Sequence, residues 1–399
     1  MLRRTSRSEV RNHRITFFYF QGGFKMIYKD FQNLKLSALG LGCMRLPVTG
    51  SGDSNIDKET TERMIAYAME KGINYYDTAW GYHSGNSELV VGEILAKYPR
   101  DKFYIASKFP GYDASLWGKV EEIFEKQLEK CRVDYFDFYL FHNLNEKNVD
   151  AYLDPKYGIY DYLMAQKANG RIKHLGFSAH GDLDCMRKFL NAYGKDMEFC
   201  QIQLNYIDWT FQDAKAKVDL LNEWNIPIWV MEPVRGGQLA RLPEDAATEL
   251  KELRPEESAP AWAFRFIQSI PGVVMTLSGM SNEEQLVENI ATFAEDKPLD
   301  SAEKEKILAI ADRIINQRTV PCTGCRYCVS HCPMELEIPF LIQLYNEAKV
   351  ANPDEFNNPW GIFDVPEGKK PWDCIGCRSC EAVCPQNITI PDLLAEFKH

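Results

Sequence analysis

The chain has 399 residues, of which 45% are hydrophobic and 26% are charged, and its formal net charge is −11. This apolar content is ample for a folded core, so disordered and fibrous proteins are excluded. The negative charge argues against a basic surface for nucleic acid or anionic membranes, and no apolar run of about 18 residues is present to span a bilayer, so we expect a soluble protein.

The first 25 residues carry six basic side chains against one acidic residue, Glu9. They lack the apolar segment and the small-residue cleavage site of a secretory leader, so we expect an upstream extension with little structure rather than a targeting peptide. Met26 is followed at once by a strand-like segment and is the expected start of the first domain.

From Met26 to about Gln317, short apolar runs alternate with amphipathic segments. Each apolar run has the length and composition of a buried strand. The eight predicted strands are Leu39–Leu46, Ile73–Ala79, Phe103–Phe109, Tyr135–His142, Ile172–His180, Phe199–Tyr206, Ile226–Pro233 and Val273–Met280.

The segments between these runs have helical periodicity. The clearest predicted helices are Lys58–Lys71, Ser87–Tyr98, Ser115–Cys131, Asp182–Tyr193 and Asp213–Trp224, and Ser301–Asn316 closes the region. Strands that alternate with helices pair in parallel, and eight such units over about 290 residues match a closed (β/α)8 TIM barrel. A doubly wound open sheet competes, but the glycine-rich turn that should follow its first strand is not formed by Gly40, Gly42 and Cys43.

Polar residues end the predicted strands, and in a (β/α)8 barrel the active site lies at these C-terminal ends. A barrel with a purely structural role would not be expected to carry so many ionisable groups there. These strand-end residues are Asp77, Lys108, His142, Ser178, His180, Gln201 or Gln203, Glu232 and Ser278 with Gly279.

The stretch Asp77-Thr-Ala-Trp-Gly-Tyr82, followed by Gly85, Ser87 and Glu88, resembles the aldo-keto reductase superfamily. Lys108 and His142 follow in the chain order of that family's Asp, Tyr, Lys and His tetrad. The resemblance covers roughly residues 26–317, and it implies that Asp77, Tyr82, Lys108 and His142 are the catalytic residues.

The chemistry of carbonyl reduction explains why these residue types would be needed together. Hydride addition leaves an alkoxide that needs a proton, and a tyrosine with its ordinary pKa near 10 is a poor donor or acceptor unless its anion is stabilised. We expect Lys108 to lower the pKa of Tyr82 and Asp77 to hold Lys108 charged and oriented. His142 would hydrogen-bond the substrate oxygen.

The same resemblance implies a set of nicotinamide-nucleotide contacts. Ser178 and Gln201 would hold the carboxamide, and the segment Met280–Asn289 would face the adenosine half, with Glu288 and Asn289 near adenine. Many family members have Asn after the serine that corresponds to Ser178, whereas this chain has Ala179 and then His180. Gly279 and Gln285 stand where NADP-preferring members place Lys or Arg against the 2′-phosphate. The chain could therefore use either NADPH or NADH.

One further turn has two interpretations. Glu232-Pro-Val-Arg-Gly-Gly237 follows the seventh predicted strand, and its glycine pair could admit a phosphate closely. The alternative is an ordinary connection between strand and helix.

The tail contains a duplicated cysteine motif. Cys322, Cys325, Cys328 and Cys332 have the spacing C-x2-C-x2-C-x3-C-P, and Cys374, Cys377, Cys380 and Cys384 repeat it. Neighbouring segments recur as well: Gly324-Cys325-Arg326 returns as Gly376-Cys377-Arg378, and Ile338-Pro339-x-Leu341 returns as Ile390-Pro391-x-Leu393. The segment between the motifs predicts a helix, Pro339–Val350, and then a loop ending at Trp372 that we expect to dock on the barrel rim.

The spacing resembles that of a bacterial two-cluster ferredoxin, in which the fourth cysteine of each motif reaches the other 4Fe-4S cluster. This resemblance implies one cluster on Cys322, Cys325, Cys328 and Cys384, and a second on Cys374, Cys377, Cys380 and Cys332. Paired zinc sites and disulfides are the alternatives, but zinc sites do not usually show this run, and disulfides are disfavoured without a secretory signal. The other four cysteines, Cys43, Cys131, Cys185 and Cys200, are expected to be inert.

The sequence thus predicts an α/β chain with three parts. Residues 1–25 are an extension, 26–318 form the aldo-keto reductase-like (β/α)8 TIM barrel, and 319–399 form an α+β ferredoxin-like domain with two 4Fe-4S clusters. So many reduced thiolates favour a cytoplasmic location.

The predicted function is NAD(P)H-dependent reduction of an aldehyde or ketone, with the clusters in electron transfer or redox control. A nicotinamide delivers two electrons together, whereas a cluster passes one at a time. A flavin could connect the two, although no motif in the sequence indicates one. Two alternatives remain open: a redox-sensing nucleotide-binding protein, and a cluster-driven reductase fed by an external donor or flavin. The expected partners are a small carbonyl substrate and an electron-transfer protein or flavoprotein, without nucleic acid or membrane.

Overall fold

The computed structural model describes residues 26–50, 53–322, 324, 326–352, 356–384 and 386–398. The expected extension 1–25 lies outside the described residues. Among the described helices, none is both long and apolar enough to cross a membrane.

Eight parallel strands close into a barrel in the order β10-β3-β4-β5-β6-β7-β8-β9. Each of the eight predicted runs overlaps one of these strands, so the barrel prediction is confirmed. Two further strands form an antiparallel hairpin. The strands are β1 Tyr28–Phe31, β2 Leu34–Ser37, β3 Leu39–Gly42, β4 Tyr75–Asp77, β5 Tyr104–Phe109, β6 Phe136–Leu144, β7 Ile172–Ala179, β8 Cys200–Gln203, β9 Ile228–Met231 and β10 Val273–Ser278.

The predicted helices are also present, with ends shifted by a few residues. The described helices are α1 Lys58–Glu70, α2 Ser87–Leu95, α3 Val120–Cys131, α4 Val149–Leu153, α5 Ile159–Ala168, α6 Leu183–Tyr193, α7 Asp208–Phe211, α8 Ala214–Glu223, α9 Glu244–Leu253, α10 Ala259–Gln268, α11 Glu283–Thr292, α12 Ser301–Arg318, α13 Tyr327–Ser330, α14 Ile338–Ala351 and α15 Ile390–Leu394.

Short polar residues fix where several barrel helices begin. The side chains of Asp57, Asp182, Asn282 and Asp300 each accept a hydrogen bond from a backbone N–H in the first turn of α1, α6, α11 and α12. Such caps satisfy donors that have no partner within the helix. The loops that carry the site are therefore anchored at both ends by regular structure.

The hairpin β1–β2 contributes to the core inside the barrel, and the sequence indicated only its first strand. Phe31 is 3% exposed and packs edge-on against Trp229 and His174, with ring centroids 5.0 and 5.1 Å apart. Phe138 and Phe199 complete this aromatic cluster. A second, larger core lies between the outer faces of the strands and the surrounding helices. The interior is thus packed with side chains, which leaves the strand ends as the place for a site.

The C-terminal module repeats its backbone conformation as well as its sequence. Gly324 and Arg326 both have positive φ, and so do Gly376 and Arg378 in the second motif. The described part of residues 319–398 contains helices and turns but no strand. The α component of the predicted α+β module is therefore present in the described residues, and the β component is not.

The module docks on the barrel. Lys147, in the loop after β6, forms an ion pair of 2.5 Å with Asp364 in the loop between the two cysteine motifs. This contact confirms the prediction that the loop reaches the barrel rim. The side chain of Arg318, at the end of α12, donates to the carbonyl of Val350 in α14. The module therefore contacts the barrel at two places, the loop between the cysteine motifs and the end of α12.

Candidate active site

Lys108 lies at the centre of a polar cluster inside the barrel mouth. Its side chain is fully buried, and its Nζ donates to Asp77 Oδ1 at 2.6 Å and to the carbonyl of Thr78 at 2.8 Å. The parallel pairing of β4 with β5 brings the two strand ends together. The Nζ atom also lies 5.1 Å from the centre of the Tyr82 ring. Three of the four predicted catalytic residues are therefore in contact or nearly so.

His142, at the end of β6, completes the group. Its ring lies 6.0 Å from that of Tyr82 at an interplanar angle of 80°, and 5.3 Å from that of Tyr112. The tight turn that carries Tyr82 is held by His83, whose Nε2 accepts the backbone N–H of Leu46 at 3.0 Å. The structure thus brings the predicted tetrad together, with Tyr112 as an additional aromatic wall.

The protonation states differ from one expectation. Burial raises the pKa of Tyr82 well above its usual value, and the negative charge of Asp77 raises it further. Although a nearby ammonium such as that of Lys108 is expected to lower this pKa, the net shift is upward, because burial is its largest cause. Tyr82 accordingly holds its proton. Burial, with Lys108 as a second cause, lowers the pKa of His142 well below its usual value, so the imidazole is neutral.

A buried network behind Lys108 was not predicted. Glu88 Oε1 accepts from Ser107 Oγ and from Gln127 Nε2, each at 2.6 Å, and Glu88 Oε2 pairs with Lys130 Nζ at 2.5 Å. Gln127 Nε2 also donates to the backbone carbonyl of Lys108 at 3.0 Å. A signal existed in the sequence, because Gln127 interrupts the apolar stripe of α3 and a polar residue in such a stripe needs a buried partner.

A cavity of about 190 Å³ lies beside the ends of β9 and β10. Four of the six predicted nucleotide contacts line it, namely Gly279, Gln285, Glu288 and Asn289. The predicted phosphate turn is there as well, since Glu232, Gly236 and Gly237 form part of the wall.

Ser178 and Gln201 lie apart from this cavity, on β7 and β8. They are paired neighbours in the parallel ladder, and both are buried. Ser178 Oγ accepts the backbone N–H of Asn143 at 2.8 Å. Gln201 Oε1 is buried with no hydrogen-bond partner among the described residues. A buried acceptor without a donor is costly, so this position is suited to a ligand that donates, such as a carboxamide.

Arg45 is the residue at the cavity that the sequence interpretation missed. Its side chain packs over Gly279, where an added Cβ would lie 3.2 Å from the arginine stem. Its guanidinium lies 3.7 Å from Glu232. Gly279 and Gln285 themselves carry no guanidinium, as predicted, but the loop after β3 brings that of Arg45 to the same cavity. Arg45 follows the first barrel strand directly, and the strand-end rule could have found it.

One set of cysteines in the module surrounds a small hollow. Cys332, Cys374, Cys377 and Cys380 all line it, together with apolar side chains such as Leu336 and Ile338. This is the set predicted for the second cluster. The described residues contain no group of three or more His, Cys, Asp or Glu arranged to hold a single metal ion. Four thiols in an apolar shell are the donors that a 4Fe-4S cluster uses, so the residues present fit that group.

The other predicted set is only partly described. Cys325 lies outside the described residues, and Cys322, Cys328 and Cys384 all contribute to the apolar core of the module. Their role as ligands stays a prediction. The four barrel cysteines are buried, and burial raises the pKa of Cys185 to about 12, as it raises the pKa values of Cys43, Cys131 and Cys200. These thiols are protonated and poorly reactive.

Two family models match the chain in consecutive segments. The model of the aldo/keto reductase family matches residues 38–312, and that of the 4Fe-4S dicluster domain matches residues 321–389. The first match covers more than half of the chain. The chain belongs to the aldo/keto reductase family. As an aldo-keto reductase it is an oxidoreductase. The four residues that the resemblance implies as catalytic lie close together in the structure.

This aldo-keto reductase is similar to curated proteins along the barrel. It is 26% identical to the uncharacterized oxidoreductase YqkF of Bacillus subtilis over 315 residues, covering 69% of this chain and 95% of that protein. It is also 26% identical to the NADH-specific methylglyoxal reductase of Escherichia coli over 304 residues, covering 65% of this chain and 91% of the relative.

Solved structures share the same barrel. The holo form of aldo-keto reductase AKR11C1 from Bacillus halodurans superposes with a TM-score of 0.59 at 24% identity, covering 71% of this chain and 96% of that chain. An aldo/keto reductase from Klebsiella pneumoniae, in complex with NADP and acetate, gives 0.56 at 19% identity, covering 73% and 95%. These likenesses show the fold.

We expect Glu88→Gln to destabilise the aldo-keto reductase barrel by about 3–5 kcal/mol, because it leaves the ammonium of Lys130 buried without its counter-ion. The measurement is chemical unfolding followed by near-UV circular dichroism. Glu93→Gln is the matched control on the same helix, since Glu93 forms an exposed ion pair with Lys58 and its loss should cost less than about 1 kcal/mol. Equal effects of the two substitutions would contradict the structural role of the buried network.

Proposed function

We propose that this aldo-keto reductase uses a reduced nicotinamide nucleotide to reduce an aldehyde or ketone, with Tyr82 as the proton donor. One observation carries the proposal: a protonated Tyr82 lies beside a buried lysine–carboxylate pair and a neutral His142. The name of the Escherichia coli relative, a methylglyoxal reductase, supports the same class of reaction.

The proposed roles of the four residues in carbonyl reduction follow from their charges. The nucleotide, when bound, supplies the hydride to the carbonyl carbon. Tyr82 gives its proton to the carbonyl oxygen, and the ammonium of Lys108 offsets the charge left on the phenolate. Asp77 orients that ammonium, and His142 holds the substrate oxygen by a hydrogen bond. Solvent then returns a proton to Tyr82, so the product is an alcohol.

The residues of the nucleotide cavity support NADH rather than NADPH. The wall carries the carboxylates of Glu232 and Glu288, while its guanidinium, from Arg45, already faces Glu232. A 2′-phosphate would meet net negative charge there, whereas a 2′-hydroxyl would not. The relative from Escherichia coli is named as NADH-specific, which agrees with this preference.

The proposed domain boundary lies at the end of α12, between Arg318 and Thr319. Beyond it we propose two 4Fe-4S clusters with ligands shared between the two motifs. The hollow lined by Cys332 together with Cys374, Cys377 and Cys380 supports this sharing, because Cys332 belongs to the first motif.

We expect Tyr82→Phe to lower kcat for carbonyl reduction by about 100-fold or more, since it removes the general acid. The affinity for NADH should stay within about twofold, measured by quenching of protein fluorescence. Tyr162→Phe is the control, because the hydroxyl that it removes donates to an exposed glutamate, Glu125, on the outer helices. Full reductase activity of the Tyr82→Phe protein would refute the assignment.

Gln285→Arg should raise kcat/KM for NADPH relative to NADH by about tenfold or more, because it adds a guanidinium to the cavity wall. The measurement is steady-state reduction of one aldehyde with each nucleotide. Glu284→Arg places the same group one residue away, outside the cavity wall, and should change the ratio much less. A wild-type preference for NADPH would contradict the charge argument.

The ligand sharing is testable with cysteine pairs. Each single replacement, Cys332→Ala or Cys374→Ala, should remove about half of the iron from anaerobically purified protein. The double replacement should remove no more than either single one if both residues bind the same cluster. The pair Cys328→Ala with Cys374→Ala should remove nearly all of it, and Cys185→Ala should remove none. Complete loss from the first pair would show that each motif binds its own cluster.

A further inference from the structure

A buried ion pair lies behind the predicted phosphate turn, residues 232–237. Arg235 Nε donates to Asp208 Oδ1 at 3.0 Å, and the two side chains are 8% and 0% exposed. Arg235 belongs to the turn after β9, whereas Asp208 begins α7 after β8. Neither residue belongs to the tetrad, and neither lines the nucleotide cavity. The pair therefore joins two loops at the C-terminal end of the barrel from behind the cavity wall.

Asp208 is the centre of a wider hydrogen-bond network. Its second oxygen, Oδ2, accepts from Asn205 Nδ2 at 2.6 Å and from Gln203 Nε2 at 2.8 Å. The same Asn205 amide donates to the backbone carbonyl of Glu232 at 3.0 Å. The carboxylate thus holds the phosphate turn at two residues, Glu232 through Asn205 and Arg235 directly.

The backbone of the phosphate turn is strained and needs such support. Glu232 and Arg235 have φ values of 55° and 49°, in the left-handed region that residues with a side chain rarely adopt. Gly236 and Gly237 follow at 64° and 95°. A left-handed residue other than glycine persists only where surrounding contacts hold it. The two strained residues are the two that the Asp208 network binds.

The strained turn presents its backbone to the nucleotide cavity. Glu232, Gly236 and Gly237 line the cavity, and the N–H of Gly236 donates to no backbone carbonyl among the described residues. An added Cβ at Gly236 would lie 3.2 Å from the guanidinium of Arg45. A free N–H in a left-handed turn beside a guanidinium is suited to a phosphate group. The Asp208 network therefore shapes the wall that would meet the nucleotide without lining it.

We propose that Asp208 is a positioning residue for nucleotide binding, which holds the phosphate turn, through Arg235 and Asn205, in the conformation that receives the pyrophosphate. The proposal rests on the proposed use of a nicotinamide nucleotide. Without the carboxylate, the strained turn should relax, so that only a fraction of the molecules would hold the competent conformation at any time. The apparent affinity falls by the same factor as this fraction.

Asp208→Asn removes the charge partner of Arg235 and keeps the size of the side chain. In the anaerobically purified full-length protein, we expect the Kd for NADH to rise about tenfold, because the turn is no longer held in its competent form. The loss should appear in KM for NADH and much less in kcat, because the tetrad is unchanged. Binding is measured by quenching of protein fluorescence, and folding by near-UV circular dichroism. A wild-type Kd in folded Asp208→Asn protein would overturn the proposal.

Asp137→Asn is the matched control for the loss of a buried ion pair. The Asp137 side chain is 9% exposed and pairs with Arg100 at 2.6 Å, near the start of β6 and so at the opposite end of the barrel from the cavity. Both substitutions should lower the midpoint of thermal unfolding, because each leaves a guanidinium without its counter-ion. Only Asp208→Asn should weaken NADH binding. Equal weakening by Asp137→Asn would attribute the effect to a general loss of stability and refute the positioning role.

Arg235→Gln breaks the same pair from the other side. It leaves Asp208 with its two amide donors, Asn205 and Gln203, so it tests the proposal even if Asp208→Asn does not fold. We expect the Kd for NADH to rise about tenfold in each single variant and about tenfold again, rather than a hundredfold, in the double variant, because both changes remove one interaction. A hundredfold rise in the double variant would show that the two residues act independently, which contradicts the proposal.

Hydrogen exchange separates this proposal from the proposed function, because it needs no ligand. The backbone amides of residues 234–240 should exchange about tenfold faster in Asp208→Asn than in the wild-type protein, and at the wild-type rate in Asp137→Asn. Failure of the wild-type protein to bind NADH would contradict the proposed function, and the exchange rates would still decide whether Asp208 holds the turn. Wild-type exchange in Asp208→Asn would refute the positioning role even if NADH binds.

Discussion

The buried ion pair between Lys108 and Asp77 is the interaction on which the site depends. An ammonium group without solvent contact is unstable unless a carboxylate and further acceptors replace the lost water. Here Asp77 and the carbonyl of Thr78 are those acceptors, and both are delivered by the strand next to the one that carries Lys108. The parallel pairing of these strands is therefore needed to stabilise the buried ion pair. The pair in turn places the positive charge of Lys108 next to Tyr82.

The environment of Tyr82 shows that burial outweighs the nearby cation in the unliganded molecule. A phenol held in protonated form is ready to give its proton to a developing alkoxide, and the adjacent ammonium becomes useful only when negative charge appears. The neutral state of His142 has the same cause, because both burial and Lys108 disfavour an imidazolium there. Burial thus favours the neutral forms of both side chains.

The iron–sulfur module and the barrel share more than a linker. The module is duplicated in sequence and in backbone, and the repeated turns around Arg326 and Arg378 each form an ion pair with an acidic residue, Glu337 and Asp392 respectively. Residues of its first motif and of α14 line a cleft together with the barrel loops after β6, β7 and β8.

Much of the fold could be predicted because its signals are local. The eight barrel strands appear as apolar runs, and the cysteine spacing identifies the second domain. The hairpin β1–β2 was only half seen because Lys29, Asp30 and Lys35 break up its apolar residues, whereas the barrel strands appear as apolar runs. Sequence signals existed for Arg45 and Gln127, but the partners of Arg45, Gln127 and Lys130 could not be predicted, because Glu232 and Glu88 lie far from them in the sequence.

The sequence by itself determined the chemistry that the chain carries: a tetrad in a set order at strand ends, and eight cysteines in a repeated spacing. These features depend on residue type and spacing along one segment, which the sequence states directly. Only the tertiary structure decided the protonation of Tyr82, the guanidinium in the nucleotide cavity and the ion pair of Asp208 with Arg235 behind the phosphate turn. Each of these depends on burial and on charges brought together from distant segments. The order of residues along the chain does not show which of them come close together in the folded protein.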